Sequence, residues 1–297
     1  MQNKPYVVAI GEILWDLFPS GPRFGGAPAN FGYHAAALGA DVSIISGVGH
    51  DPLGDEAIKN LTTAGINTQF VGRHDQYPTG TVDVAVDRDG HASYSFHPNE
   101  AWDFISATAA MHDSIGRADA ICFGTLAQRS EVSGQSIRSL VSAAPSSTMR
   151  VLDLNMRPPF DNDTTITESL ELATVLKLND DELRHVAGMF NILGNEITQA
   201  KAIIQQFGLD WIALTCGSRG GAIISIDDFV EATAHETQVI DTVGAGDSFT
   251  AAVVVGWLRG ISKDSILPAA CRIAEFVCSQ PGATPPLPDA LSKVETW

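Results

Sequence analysis

What most constrains this chain is the regular alternation of short, β-rich apolar runs with helical stretches along nearly its whole length. Tyr6 to Gly11, Val42 to Gly47, Ala120 to Phe123, Val151 to Asn155, Val175 to Asn179 and Trp211 to Cys216 read as buried strands. Ala27 to Leu38, Glu56 to Thr63, Ser130 to Ala143 and Ile197 to Phe207 carry helical patterns between them. Alternation of this kind predicts an α/β fold, with a mostly parallel central sheet and helices on both faces. One segment breaks the rhythm. Thr81 to Asp87 and Ala92 to Phe96 alternate strictly around Asp89-Gly90, the pattern of an antiparallel hairpin with one wet face. Such a hairpin is expected to stand off the main sheet as a flap, or to lie at its edge without a role. With no internal repeat or linker-like stretch, residues 1–297 are expected to form a single domain.

Composition narrows the partners. Hydrophobic residues make up 44% of the sequence, enough for a sizeable buried core. The 35 acidic residues against 18 basic ones leave a formal net charge of −17, which repels nucleic acid and anionic membranes. No nucleic-acid or membrane partner is therefore expected. An anionic small molecule would have to be attracted locally, by helix N-termini, backbone amides, a few Arg or Lys side chains and a bound cation. Cys122, Cys216, Cys271 and Cys278 form no C-x-x-C pair and sit in apolar surroundings, as small core residues do. Glu12 and Asp16 break the first apolar run well short of a signal or membrane-spanning length. Both traits predict a cytoplasmic protein.

The sharpest chemical signal is Asp241-Thr242-Val243-Gly244-Ala245-Gly246-Asp247-Ser248-Phe249-Thr250, followed by the apolar helix-forming run Ala251 to Leu258. Gly244 and Gly246 let the backbone turn tightly, so that consecutive N–H groups converge where the dipole of the following helix is positive. Such a turn is an anion site. Asp247 lies in the first helical turn, where a carboxylate ordinarily serves only as a cap. A fixed negative charge beside a phosphate cradle weakens binding unless it has another task, and taking the proton of an attacking hydroxyl is such a task. Asp247 is thus a candidate general base. No G-x-x-x-x-G-K-[ST], H-E-x-x-H or strand-helix G-x-G-x-x-G motif competes with this reading.

Asp241 to Thr250 resembles the D-T-x-G-A-G-D-x-F signature of the ribokinase-like (PfkB) carbohydrate kinases. Gly25-Gly26-Ala27-Pro28-Ala29-Asn30, with Ala35 to Ala40 and Gly47 to Gly54, resembles the family's N-terminal signature, so the likeness spans nearly the whole chain. The resemblance implies a ribokinase-like three-layer sandwich with a small β lid from about residues 12–24 and 80–104. It also implies phosphoryl transfer from ATP to a sugar hydroxyl, with Mg2+ and in many members K+ as cofactors, and pairing of two copies through the lid. Carried over by position, Asp247 is the base and Gly244, Ala245 and Gly246 the anion hole. Asn179-Asp180-Asp181-Glu182 resembles the N-x-x-E motif, which places Asn179 near the phosphates and gives Glu182 a part in organising Mg2+ through water. Read unaided, that cluster is a helix start with carboxylates in its first turn. Thr215-Cys216-Gly217-Ser218-Arg219-Gly220 resembles a nucleotide loop, assigning Thr215, Gly217, Ser218 and Gly220 to ATP; unaided, it is a strand followed by a turn.

On the acceptor side the resemblance gives Asp16 to the sugar hydroxyls, with Gly26, Asn30 and Phe96 beside them. A carboxylate that accepts two hydroxyl protons suits a polyol, whereas a solvated loop acid is the plainer reading of Asp16. Gly26 is expected to permit close approach, and Asn30 alone could equally be a helix-side polar residue. Asp153-Leu154-Asn155-Met156-Arg157-Pro158 resembles the D-x-N-x-R-P segment of fructokinase-like members, making Arg157 a fixed cation near the transferring group, against the alternative of a surface ion pair.

The chain also departs from the pattern. Asp241, Val243 and Gly282 fall where many members hold K+, but Pro286 stands where ribokinase offers a Ser and supplies only a carbonyl. Cys271 falls where relatives often place an Asn near the purine. Tyr94, Phe96, Trp102 and Asp103 do not reproduce the flap of a standard fructokinase. Fructose is the first choice of substrate; 2-keto-3-deoxygluconate, ribose, a nucleoside, and a sugar-binding sensor without turnover are the alternatives.

Overall fold

The computed structural model describes residues 4–86 and 92–297. From the N-terminus the chain forms β1 (Tyr6–Ile10), β2 (Leu14–Phe18), β3 (Gly21–Gly25), α1 (Ala27–Ala37), β4 (Asp41–Gly49), α2 (Pro52–Thr63) and β5 (Asn67–His74). The middle of the chain contributes β6 (Gly80–Val86), β7 (Ala92–Phe96), α3 (Ala109–Ile115), β8 (Ala120–Phe123), α4 (Glu131–Ser142), β9 (Met149–Asp153) and α5 (Asp163–Leu172). There follow β10 (Val175–Asn179), α6 (Asp180–Met189), α7 (Glu196–Phe207), β11 (Trp211–Thr215), β12 (Gly221–Ile224), β13 (Phe229–Ala232), α8 (Ala245–Leu258) and α9 (Lys263–Cys278).

Nine strands make the main sheet, in the order β13-β12-β11-β10-β9-β8-β1-β4-β5. From β11 to β5 the neighbours run parallel, and β12 and β13 close one edge antiparallel. β1 shows why this sheet must be covered twice. Val7 and Ala9 point into one core and Val8 and Ile10 into the other, and all four are fully buried. On the first side lie Phe31 of α1, Val253 of α8 and Ile266 of α9; on the second lie Leu140 of α4, Leu170 of α5, Val186 of α6 and Ile203 of α7. The expected three-layer sandwich is therefore present. α8 is apolar all round and is buried from Asp247 to Gly256, which fits a helix enclosed by α1, α9 and the sheet.

Sequence bounds hold within a few residues. α2 begins at Pro52 because the Asp51 carboxylate accepts the Gly54 N–H at 2.8 Å. β5, β12 and β13 were not read from the sequence; β13 is half exposed and lacks the apolar run of a central strand.

The expected hairpin is β6 paired antiparallel with β7, from Val82↔Phe96 to Val86↔Ala92, while its Asp89-Gly90 turn lies outside the described residues. It belongs to a second sheet, ordered β3-β2-β6-β7. Arg129 ties the root of this sheet to the main body. Its guanidinium grips Asp103 with Nε and Nη2, both at 2.8 Å, reaches Glu100 at 3.4 Å and donates to the His97 carbonyl at 2.6 Å. Its flat face lies 3.9 Å from the Trp102 ring centre. Glu100 in turn accepts the Thr81 N–H of β6 at 2.6 Å. Because both acids and the arginine are buried, Arg129→Met is expected to leave two uncompensated carboxylates and to lower unfolding free energy by about 3–5 kcal/mol. Urea denaturation monitored by circular dichroism checks this.

Candidate active site

Parallel strands expose their last carbonyls and the loops that follow them along one edge, and that edge is where an open α/β sheet can hold a ligand. Here a cleft of about 1510 Å³ runs along it, past Glu12 after β1, Asn155 after β9, Asn179 ending β10 and Thr215 ending β11. The second sheet forms the opposite wall through Leu14, Asp16, Val82, Tyr94 and Phe96. Strand register explains this choice: Asp16 lies across from Val82, and Val82 across from Phe96, so the three share one row on one face.

At the cleft floor, Gly244 caps α8 in a left-handed conformation, with φ of 80°. A Cβ there would fall 2.4 Å from the Ala283 carbonyl oxygen, so the turn requires glycine for space as well as for conformation. Gly244, Ala245 and Gly246 all line the cleft, and the first N–H groups of α8 have no partner within the helix. Behind the turn lies a cation that the sequence reading missed. Lys177, buried in β10, donates to Asp153 at 2.9 Å, and the other oxygen of Asp153 accepts the Thr250 hydroxyl at 2.9 Å. A Cβ on Gly246 would sit 2.9 Å from the Lys177 ammonium, which places that charge against the turn. The one available signal was a lone lysine inside the apolar run Val175-Leu176-Lys177-Leu178.

Asp247 sits in the first turn of α8 but does not cap it. Its carboxylate lines the cleft and accepts the Asn30 side-chain N–H at 2.8 Å. Asn30 Oδ1 is buried with no protein partner, which leaves one acceptor beside Asp247 unfilled. Burial, joined by the negative charge of Asp153, pushes the Asp247 carboxyl up to about 6, although Lys177 pulls the other way. Glu12 was also missed. It is buried beside the cleft, accepts the Ala27 N–H at 3.2 Å, and burial pushes its carboxyl up to about 7.

Asp16 lies half-buried in the wall rather than in a solvated loop, and burial raises its carboxyl to about 6. Gly26 has φ of 105°, and a Cβ there would strike the Glu12 carbonyl at 2.5 Å; the glycine is required first by the chain itself. Phe96 packs edge-on against Phe160, with ring centres 5.6 Å apart. Arg157 lines the cleft and makes no ion pair among the described residues, donating its Nη1 only to the Met156 carbonyl at 3.0 Å. Its charge lowers the carboxyls of Glu12, Asp16 and Asp247, so its field acts across the cleft.

The other end of the cleft gathers Asn179, Glu182, Thr215, Gly217, Ser218 and Gly220, together with Cys271. Asn179 and Glu182 form a capping box on α6: Asn179 accepts the Glu182 N–H and Glu182 accepts the Asn179 N–H, each at 2.8 Å. The second Glu182 oxygen accepts the Met156 N–H at 2.9 Å. Among the described residues no group of three or more His, Cys, Asp or Glu side chains could hold a metal ion. Among them, too, no helix is long and apolar enough to cross a membrane.

Residues 21–290 match the model of the pfkB family carbohydrate kinases. The chain belongs to that family. This pfkB kinase is 26% identical over 306 residues to the fructokinase of Escherichia coli, covering 97% of both chains. Among solved structures, Xylella fastidiosa fructokinase with bound ATP superposes with a TM-score of 0.84 at 22% identity, covering 99% of this chain and 98% of that one. A double mutant of Vibrio cholerae O395 fructokinase, in a form with fructose, ADP and potassium ion bound, gives 0.81 at 21% identity over 97% and 96%. The pfkB chain is thus a sugar kinase with the ribokinase-like fold.

The burial of Asp247 has a measurable cost. Its folded value lies above the ordinary carboxylate value of 3.8, so the group stabilises the fold below that pH and loses this contribution as pH rises through about 6. Asp247→Asn, which can still accept from Asn30, is expected to be about 2 kcal/mol more stable than the natural protein at pH 8. Thermal unfolding at pH 8 and at pH 5 checks this, because the gain should fade at the lower pH.

Proposed function

We propose that this kinase transfers the γ-phosphoryl group of ATP to a hydroxyl of fructose or a closely related sugar, with Asp247 as general base. The observation that carries this reading is the pair at the cleft floor: Asn30 steers one oxygen of Asp247 with its N–H and keeps its own buried Oδ1 unpartnered. A sugar offers adjacent hydroxyls, one to give its proton to Asp247 and the next to fill Asn30 Oδ1. The attacked phosphorus gains a bond to the sugar oxygen as its bond to the bridging oxygen of ADP breaks, and the proton passes to Asp247. The amides of Gly244, Ala245 and Gly246, with Lys177 and Arg157, supply the positive field for the group in transfer. Asn179, Thr215, Gly217, Ser218 and Gly220 would hold the nucleotide.

Mg2+ fits this site as an ion held chiefly by phosphate oxygens and water, since Glu182 keeps lone pairs free beyond its two backbone bonds. When bound, the ion offsets the charge of the phosphates. The second sheet would act as a lid over the sugar, excluding water that would otherwise accept the phosphoryl group, and as the surface through which two copies pair. Fructose is favoured because whole-length relatives such as the Escherichia coli enzyme are fructokinases. Asp16, facing the cleft from β2, is the carboxylate for the remaining sugar hydroxyls.

Purified protein incubated with ATP, Mg2+ and a panel of fructose, ribose, 2-keto-3-deoxygluconate and nucleosides should release ADP fastest with fructose; sugar binding without ADP release would indicate a sensor. Asp247→Asn should cut kcat by about 10²- to 10⁴-fold with little change in ATP affinity, and undiminished turnover would remove Asp247 as the base. The rate should fall below about pH 6, where Asp247 takes up a proton. Asp16→Ala should raise the KM for sugar far more than that for ATP, and equal shifts would place Asp16 outside the acceptor site.

A further inference from the structure

The Asp241 carboxylate, the group expected to hold a monovalent cation, is already engaged from three sides. Its Oδ2 accepts Arg23 Nη1 at 3.0 Å and the Gly282 N–H at 3.2 Å, and its Oδ1 accepts the Val243 N–H at 3.1 Å. A carboxylate offers about four lone-pair sites, so about one remains for any ion. The neighbouring loop is no better provided. The Ala283 carbonyl can only accept, so the buried His34 donates its Nε2–H to it at 2.9 Å; Pro286 adds no hydroxyl. The side chains here thus leave a monovalent cation little more than one carboxylate lone pair and no hydroxyl.

We propose that Arg23 takes the place of that cation: its guanidinium neutralises Asp241 and ties the second sheet to the anion-binding turn. This inference rests on the kinase reading but not on the identity of the sugar. Arg23 lies directly across from Asp16 in the β2–β3 register, so one side chain spans from the acceptor wall to the residue that opens the glycine turn. Asp241 is well shielded although Arg23 is 41% exposed, a geometry in which the pair orders the turn while the guanidinium itself lies over the Phe18 ring, 4.3 Å from its centre. The field that a bound ion would contribute behind the turn is instead built into the chain. Turnover and nucleotide binding are accordingly independent of the monovalent cation.

The test compares KCl with tetramethylammonium chloride at one ionic strength, reading kcat with the best sugar and, separately, ATP affinity by calorimetry. The natural protein should give the same values in both salts. Arg23→Ala should lose about fivefold in kcat in tetramethylammonium, the scale of a partly exposed ion pair, and recover most of it in KCl as the ion enters the vacated carboxylate. Arg23→Lys, which keeps the charge, should remain indifferent to K+. A natural protein clearly stimulated by K+, or an Arg23→Ala variant indifferent to it, overturns the substitution. The natural-protein comparison decides even if Arg23→Ala fails to fold. If no sugar is turned over, the kinase reading fails, while the calorimetric arm still shows whether the turn responds to K+.

Discussion

One contact organises the cleft of this molecule: the hydrogen bond from Asn30 of α1 to Asp247 of α8, made inside the protein. A carboxylate removed from water is held neutral or is met by donors, and here the Asn30 amide donates to it while the charge of Lys177 works against the effect of burial. The bond can form only because α1 and α8 pack side by side on the same face of the sheet, through Phe31 and the apolar body of α8. Distant parts of the chain thereby meet at one pair of atoms, and the cleft is built around them.

The charges of the cleft make sense against the charge of the whole. A chain with a formal net charge of −17 offers an anionic substrate no general attraction. The cations that face the cleft are few, and each is fixed differently: Lys177 by Asp153 beneath the turn, and the Arg157 guanidinium by the Met156 carbonyl, with the Arg157 backbone N–H on Asp161. The Arg157 charge acts on Glu12, Asp16 and Asp247, as well as on neighbouring Asp161, and holds down carboxyls that burial would otherwise drive higher still. Arg219, by contrast, spends its charge on Asp180 and Glu196 at the surface.

The two sheets meet different physical demands. The main sheet is rigid because both its faces are enclosed in apolar cores. The second sheet contributes one face to the cleft and is joined to the body through a compact polar cluster at Arg129, where flat stacking and a two-pronged carboxylate grip fix direction as well as distance. Tyr94 on that sheet remains 46% exposed, as a wall over an open cleft would be.

The layered fold was legible in the sequence because burial on both faces of a parallel sheet leaves continuous apolar runs, as in β1, β8 and β11. The glycine turn was legible as well, since only glycine tolerates the conformation at Gly244 and the approach of Ala283. Sequence placed Asp16, Asn30, Arg157 and Asp247 as candidates, and the fold brings them to one cleft. Glu12 and Arg23 were not legible, because nothing local distinguishes a buried acid or an arginine in a hairpin from ordinary ones, and Lys177 left only its lone place in an apolar run. Local pattern determined which segments became strands, helices and turns, since those choices depend on neighbours along the chain. Which charges met, how far burial raised Asp247, and what stood on Asp241 were decided by tertiary structure alone, because desolvation and pairing depend on groups that only folding brings together.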